Sequence, residues 1–269
     1  MFLTRGLRTA LRIITGLVLA LLYVPLTVVM INSFNPDRTF GWPPSGFTLT
    51  WWSRAAQNAG VLAALRTSVV VGLLSTATAL ILGTLAALSL QRYKFFGRQA
   101  VSLLVILPIA LPGIITGIAL NNAFRTVLGV PLSLLTLVIA HATFCIVVVF
   151  NNVTARLRRL GGDLEEASMD LGADSFTTFR RVTLPLLRTS LLAGGLLAFA
   201  LSFDEIIVTT FTVGQGIQTL PIWIYQNLFR PNQAPVVNVV AAALIVVSIV
   251  PIWIAQKLAC TDESVAAAR

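Results

Sequence analysis

Six runs of about twenty apolar residues, at 11–31, 64–88, 101–123, 132–153, 191–213 and 236–258, dominate this sequence of 269 residues. A backbone entering hydrocarbon must satisfy its own N–H and C=O groups, so such runs can cross a bilayer only as helices. At 1.5 Å per residue each is long enough for a hydrocarbon core of roughly 30 Å. Composition agrees: with 57% hydrophobic residues, 11% charged residues and a mean hydropathy of +0.88, too few polar side chains exist to coat a soluble globule. The expected fold class is an all-α membrane protein with six transmembrane helices in one domain, 1–269, carrying a structured polar loop at 154–190.

Basic residues divide unevenly between the connections. With both termini cytoplasmic, the inside carries fourteen: Arg5, Arg8, Arg12, Arg92, Lys94, Arg98, Arg156, Arg158, Arg159, Arg180, Arg181, Arg188, Lys257 and Arg269. The outside keeps five: Arg38, Arg54, Arg66, Arg125 and Arg230. This bias sets a multi-pass orientation with 154–190 in the cytosol, as expected for a bacterial inner membrane. The net charge of +9 then reflects topology and anionic lipid headgroups. Nucleic acid is not an expected partner, because no Lys/Arg-rich face is interleaved with aromatics. The first run is too long for a leader's apolar segment and lacks a small-x-small cleavage site, so it reads as a retained span. Cys145 and Cys260 lie where they are not expected to meet, so no disulfide or metal site is implied. His141, the single histidine, reads as packed and hydrogen-bonded to a neighbouring helix; a proton or ligand site is the alternative.

The polar loop has its own helical grammar. Asp163 is expected to cap a short helix, with Glu166 completing a capping box. Leu164, Ala167, Ser168 and Leu171 fall on one narrow, small-sided face. Gly172 sits where a left-handed residue would end that helix, and Asp174 or Ser175 can cap a second one running toward Val182. The outcome is a helix-turn-helix lying under the membrane; an ordinary cytosolic loop with a glycine turn is the alternative. Glu166, Ala167, Ser168, Gly172, Val182, Leu184 and Pro185 resemble the EAA loop of ABC importer permeases. That loop reads Glu-Ala-Ala, three residues, Gly, nine residues, Ile, one residue, Leu-Pro, and it docks the cytoplasmic ATPase. Here Ser168 replaces the second Ala and Val182 the Ile. The resemblance implies the type I importer permease fold and assigns these seven residues to ATPase coupling.

Outside the membrane, 32–60 contains Pro36, Pro43, Pro44, Gly41 and Gly46, then Trp51 and Trp52. It reads as an ordered loop followed by an amphipathic segment at the interface. A second external segment, 214–235, carries Trp223, Tyr225 and Phe229, either as a docking surface or as an interfacial cover. Pro108, Pro112 and Gly113 loosen the third run, which makes it a candidate pathway lining. Gly194 and Gly195 in the fifth run read as close helix packing.

Most acids are accounted for. Asp163, Glu165, Glu166, Asp170 and Asp174 lie in the polar loop, Asp37 is external, and Asp262 and Glu263 are in the tail. Asp204 and Glu205 remain, deep in the fifth run. A carboxylate at the centre of a spanning helix is unfavourable by about 2.5–3.5 kcal/mol, so it should face a cavity or a partner. As neighbours on a helix the two would project about 100° apart, one toward a cation path and the other toward an internal partner. A structural ion pair with another subunit is the alternative.

The runs Leu201-Ser202-Phe203-Asp204-Glu205-Ile206-Ile207-Val208 and His141-Ala142-Thr143-Phe144-Cys145, with Leu220-Pro221, resemble permeases of the spermidine/putrescine importer family over nearly the whole chain, the second permease above all. That resemblance implies a second permease subunit, a homodimeric ABC ATPase, an extracytoplasmic substrate-binding protein and a polyamine substrate moved by alternating access. It leaves this chain without a cofactor, ATP and Mg belonging to the ATPase; no phosphate-binding Gly-x-x-x-x-Gly-Lys-Ser/Thr loop occurs here. Another cargo (a different organic cation, an amino-acid-like solute, iron or an oxyanion) is one alternative. An intramembrane enzyme or a channel is the other, but one His and two distant Cys supply no catalytic set.

Overall fold

The structure, a computed structural model, describes residues 5–38, 42–230 and 232–249. In chain order the helices are α1 (Arg5–Asn32), α2 (Thr50–Gln57), α3 (Ala59–Arg92), α4 (Arg98–Ala110), α5 (Gly113–Asn122), α6 (Leu134–Leu160), α7 (Asp163–Asp170), α8 (Ser175–Thr178), α9 (Leu184–Phe203), α10 (Ile207–Thr212), α11 (Leu220–Asn227) and α12 (Ala234–Ile249). π-helical turns follow α5 (Ala123–Val127) and α8 (Phe179–Thr183). The fold is all-α, with no strand among the described residues. Four helices are long and apolar enough to cross a membrane: α1, α3, α6 and the continuous helix Ser175–Phe203. The bent pair α4–α5 makes a fifth among the described residues if it is one broken span rather than a re-entrant loop, and α12 is a shorter apolar helix. The end of the sixth run, Gly41, Lys257, Cys260, Asp262, Glu263 and Arg269 lie outside the described residues.

The described chain divides into two compact units, 5–62 with 223–249 and 63–222. In the first, apolar side chains along α1 such as Leu17, Leu21 and Tyr23 are exposed. The loop before α2 is pinned by Asn35, whose Nδ2 donates to Asn32 Oδ1 and whose Oδ1 accepts from the Asp37 N–H. Trp51 is buried under the Arg54 guanidinium, and Trp52 stacks on Phe34 with ring centroids 5.4 Å apart. These two tryptophans pack within the unit. Trp223 is buried too, while Tyr225 and Phe229 are exposed.

In the second unit α6 is central. Ala140, Phe144, Cys145, Val149 and Val153 form its core face, joined by Ala79 and Ala87 of α3 and Leu187 and Ala198 of α9. Its most extensive partner is α9. Close approach depends on Gly83 and Gly194: a Cβ on Gly83 would lie 2.9 Å from the Ile146 carbonyl, and one on Gly194 would lie 3.3 Å from Asn152 Cβ. Cys145 is buried with a free thiol, its Sγ donating to the Ala198 carbonyl.

Two of the apolar runs are broken. The third, 101–123, bends by 108° between α4 and α5. Pro112 has no N–H to continue the ladder and forces Leu111 out of the helical region, to φ −85° and ψ 143°. The fifth, 191–213, is interrupted at residues 204–206, between α9 and α10. Neither Pro nor Gly lies at this break, so hydropathy does not reveal it.

Candidate coupling loop and candidate substrate path

The polar loop folds as α7, a tight turn and α8. Asp163 is the first residue of α7 and does not cap it; the cap is Gly162, with no side-chain bond. A carboxylate there still favours the positive end of the helix. The helix ends in a Schellman motif: Ala173 N–H donates to the Ser168 carbonyl and Gly172 N–H to that of Met169, with Gly172 at φ +87°. Asp174 then caps α8, its carboxylate accepting from Thr177 N–H at 3.3 Å. Hydrogen bonding from Thr177, its side chain first and its N–H after it, holds the Asp174 carboxyl below the usual carboxylate range. Ser168 and Thr178 hydroxyls meet at 3.1 Å across the turn.

The coupling residues suggested by the motif are distributed over this loop and the start of α9. Glu166, Ala167 and Gly172 are exposed, as are Leu184 and Pro185, while Ser168 and Val182 are half-buried. Around them Leu164, Met169, Leu171 and Phe176 present uncovered apolar side chains, Leu171 at 89% exposure. So much apolar surface on a polar loop fits a protein partner. Pro185 cannot donate to the helical ladder, and the π-helical turn immediately before α9 accommodates the gap.

Glu165 behaves differently from its neighbour. Its carboxylate meets Arg92 at the end of α3 through two contacts, Nε to Oε2 at 2.8 Å and Nη2 to Oε1 at 2.9 Å. The Thr183 hydroxyl also donates to Oε1 at 2.8 Å. Sequence reasoning placed Glu165 in the loop without a partner; its position beside Glu166, with an arginine closing the second run, was the available signal.

At the α9–α10 break, the two acids part company. Asp204 is exposed, and no cation or donor among the described residues pairs with its carboxylate. Glu205 is half-buried, and its Oε1 accepts from Val208 N–H at 2.8 Å, capping α10. The expected 100° separation around one helix is therefore replaced by two positions in a non-helical link. His141, fully buried on α6, bridges the link: Nδ1 lies 2.8 Å from Ser202 Oγ, and Nε2 lies 2.8 Å from Thr209 Oγ1. Thr209 Oγ1 in turn donates to the Glu205 carbonyl. The far end of α10 is held by Asn121 Nδ2, donating to the Phe211 carbonyl, and by Thr136 Oγ1, donating to that of Thr212. Sequence reasoning missed Asn121, the first of two adjacent amides, Asn121 and Asn122, in an apolar run. Gly117 lets α5 lie against Phe211, whose ring would stand 2.7 Å from a Cβ there. Among the described residues no group of three or more His, Cys, Asp or Glu side chains can hold a metal ion.

The model of the family described as binding-protein-dependent transport system inner membrane component matches residues 79–259. This chain belongs to that family. The permease is 36% identical to the spermidine/putrescine transport system permease protein PotC of Escherichia coli strain K12, over 91% of either chain. It is 32% identical to the putrescine transport system permease protein PotI of the same strain, over 83% of this chain and 81% of the relative. Among solved structures, it is similar to a chain of a bacterial ABC transporter that imports the acidic polysaccharide alginate, with a TM-score of 0.73 at 16% identity, covering 96% of this chain and 99% of the other. At that identity the likeness concerns the fold. The chain is thus a multi-pass inner-membrane permease subunit and not an enzyme, and it works with an ATPase, a substrate-binding protein and another permease.

Proposed function

We propose that the permease carries polyamines, spermidine or putrescine, into the cell as one of two different permease subunits in an ATP-driven importer. A homodimeric ATPase holds ATP and Mg; this chain holds no cofactor. Both termini are cytoplasmic, and the whole chain, 1–269, acts as one transmembrane domain. The binding protein delivers the cargo to the outer mouth, nucleotide binding closes the ATPase, and the loop around Glu166, Ala167, Ser168, Gly172, Val182, Leu184 and Pro185 passes that closure to the spans. Hydrolysis resets the machine.

The observation that carries this reading is the free carboxylate of Asp204 at a helix break. A negative charge in such a setting is retained where it meets a cation or a wet cavity. It replaces part of the water an ammonium group loses on entering the membrane. Glu205 holds the break open and adds negative charge beside it. The names of the relatives support a polyamine over other cations.

Uptake of radiolabelled spermidine and putrescine into liposomes, normalised to assembled complex, tests the proposal. Asp204→Asn should lower uptake about ten-fold or more, the equivalent of roughly 1.4 kcal/mol. Glu205→Gln should do less, because the amide oxygen still accepts from Val208. Wild-type uptake by Asp204→Asn would remove the cation path; a wild-type complex that moves neither amine would remove the cargo.

A further inference from the structure

The three-sided contact of Glu165 sits between the loop that carries the coupling motif and two membrane helices. Its carboxylate belongs to the first turn of α7, Arg92 is the last residue of α3, and Thr183 closes the π-helical turn from which α9 rises. The ion-pair side chains are 26% and 18% exposed, and Thr183 is buried. The Nη2–Oε1 hydrogen bond is charge-assisted, Nε lies close to Oε2 without aligning for a second one, and the Thr183 hydroxyl holds Oε1 from the other side, so the carboxylate ties the three elements together. No other salt bridge occurs among the described residues. Glu166, by contrast, faces outward one position along.

We infer that the Arg92–Glu165–Thr183 clamp is the link by which displacement of α7 reaches the membrane segment, and that α3 and α9 receive it together. Glu166 and the apolar face of α7 take the force from the ATPase; Glu165 passes it on. Glu165 and Arg92 are positioning residues, touching neither nucleotide nor cargo. The inference rests on the proposed docking role of the loop. With the side chains only 26% and 18% exposed, removing one charge leaves the other largely buried and unpaired, so Gln variants, which keep hydrogen-bonding groups in place, are the ones that separate coupling from abundance.

Coupling is reciprocal: a link through which the ATPase drives the permease is also one through which the resting permease restrains the ATPase. The whole complex, copurified on a tag and placed in liposomes, is therefore assayed for ATP hydrolysis without binding protein, a reading that needs no cargo. Spermidine moved per ATP is measured beside it. Arg92→Gln and Glu165→Gln should each raise unstimulated hydrolysis about five-fold, the low end for coupling between sites, and lower spermidine per ATP to a similar degree. ATPase content should stay at the wild-type level. The double variant should be no worse than either single, because both remove one interaction. If Glu165→Gln does not accumulate, Thr183→Val is read instead, with a change of about two-fold for one lost hydroxyl bond. Wild-type hydrolysis in the variants, additive effects in the double variant, or loss of the ATPase from Glu165→Gln complexes would each overturn the clamp. Failure of the docking reading looks different: wild-type chain purifying with no ATPase would remove both.

Discussion

Val208 N–H would continue the α9 ladder if its bond went to a main-chain carbonyl one turn back; the Glu205 carboxylate takes it instead. A side chain inserted into a ladder in this way is a recognised cause of helix interruption. Hydrogen-bond direction then fixes one histidine nitrogen. Thr209 gives its proton to the Glu205 carbonyl, so its oxygen accepts from His141 Nε2–H, while Nδ1 pairs with Ser202 Oγ. Both ring nitrogens are satisfied in this arrangement. Thr209→Val would leave Nε2–H buried without an acceptor, a loss of about 1–3 kcal/mol, whereas Thr209→Ser keeps the bond and should stay within about 0.5 kcal/mol of wild type. Unfolding of the purified chain followed by tryptophan fluorescence checks this; equal stability of the Val and Ser variants would contradict the hydrogen-bond chain.

At the scale of elements, α7 ends sharply because Gly172 adopts a left-handed backbone that other residues enter at a cost. No atom lies within 4 Å of a Cβ placed there, so Gly172→Val strains the turn and adds bulk to an open face without disturbing the spans. The variant should reach normal membrane abundance and lose transport, with uptake down about ten-fold or more if the added bulk weakens docking by roughly 1.4 kcal/mol. Unchanged coupled uptake would remove Gly172 from the docking surface. The same loop shows what a sequence makes legible. The Schellman turn and the Asp174 cap are local, set by residues within five positions, and both are readable from the order of residues. The Glu165 clamp is not, because Arg92 lies 73 positions away and periodicity says nothing about which of two adjacent glutamates meets it. The breaks divide on the same line. Pro112 announces the bend between α4 and α5, whereas the link at 204–206 depends on side chains competing for main-chain donors, and hydropathy reads straight through it. Apolar length therefore reveals the spans and misses the place where one of them opens.

For the molecule as a whole, the exposed surface is the telling quantity. Leu73, Leu74, Ile81, Leu82 and Leu85 on α3, and Leu192 and Leu197 on α9, are uncovered in the single chain, as is the Asp204 carboxylate. Apolar side chains are at ease in lipid, but a carboxylate there is unfavourable by about 2.5–3.5 kcal/mol. Something polar must cover it, either water in a cavity or groups from a second permease, and one chain alone supplies no opposite wall to such a cavity. A path closed by two copies of this chain would set two Asp204 carboxylates in one compartment, where like charges raise the cost of keeping both ionised. A path closed by a different permease escapes that pairing. Native mass spectrometry of the complex purified on a tagged chain should therefore find one copy of this chain, one of a different permease and two of the ATPase. Two copies of this chain in each complex would rule out the heteromeric importer. The cation path would then have to be rebuilt around a symmetric pair of carboxylates sharing a single cargo.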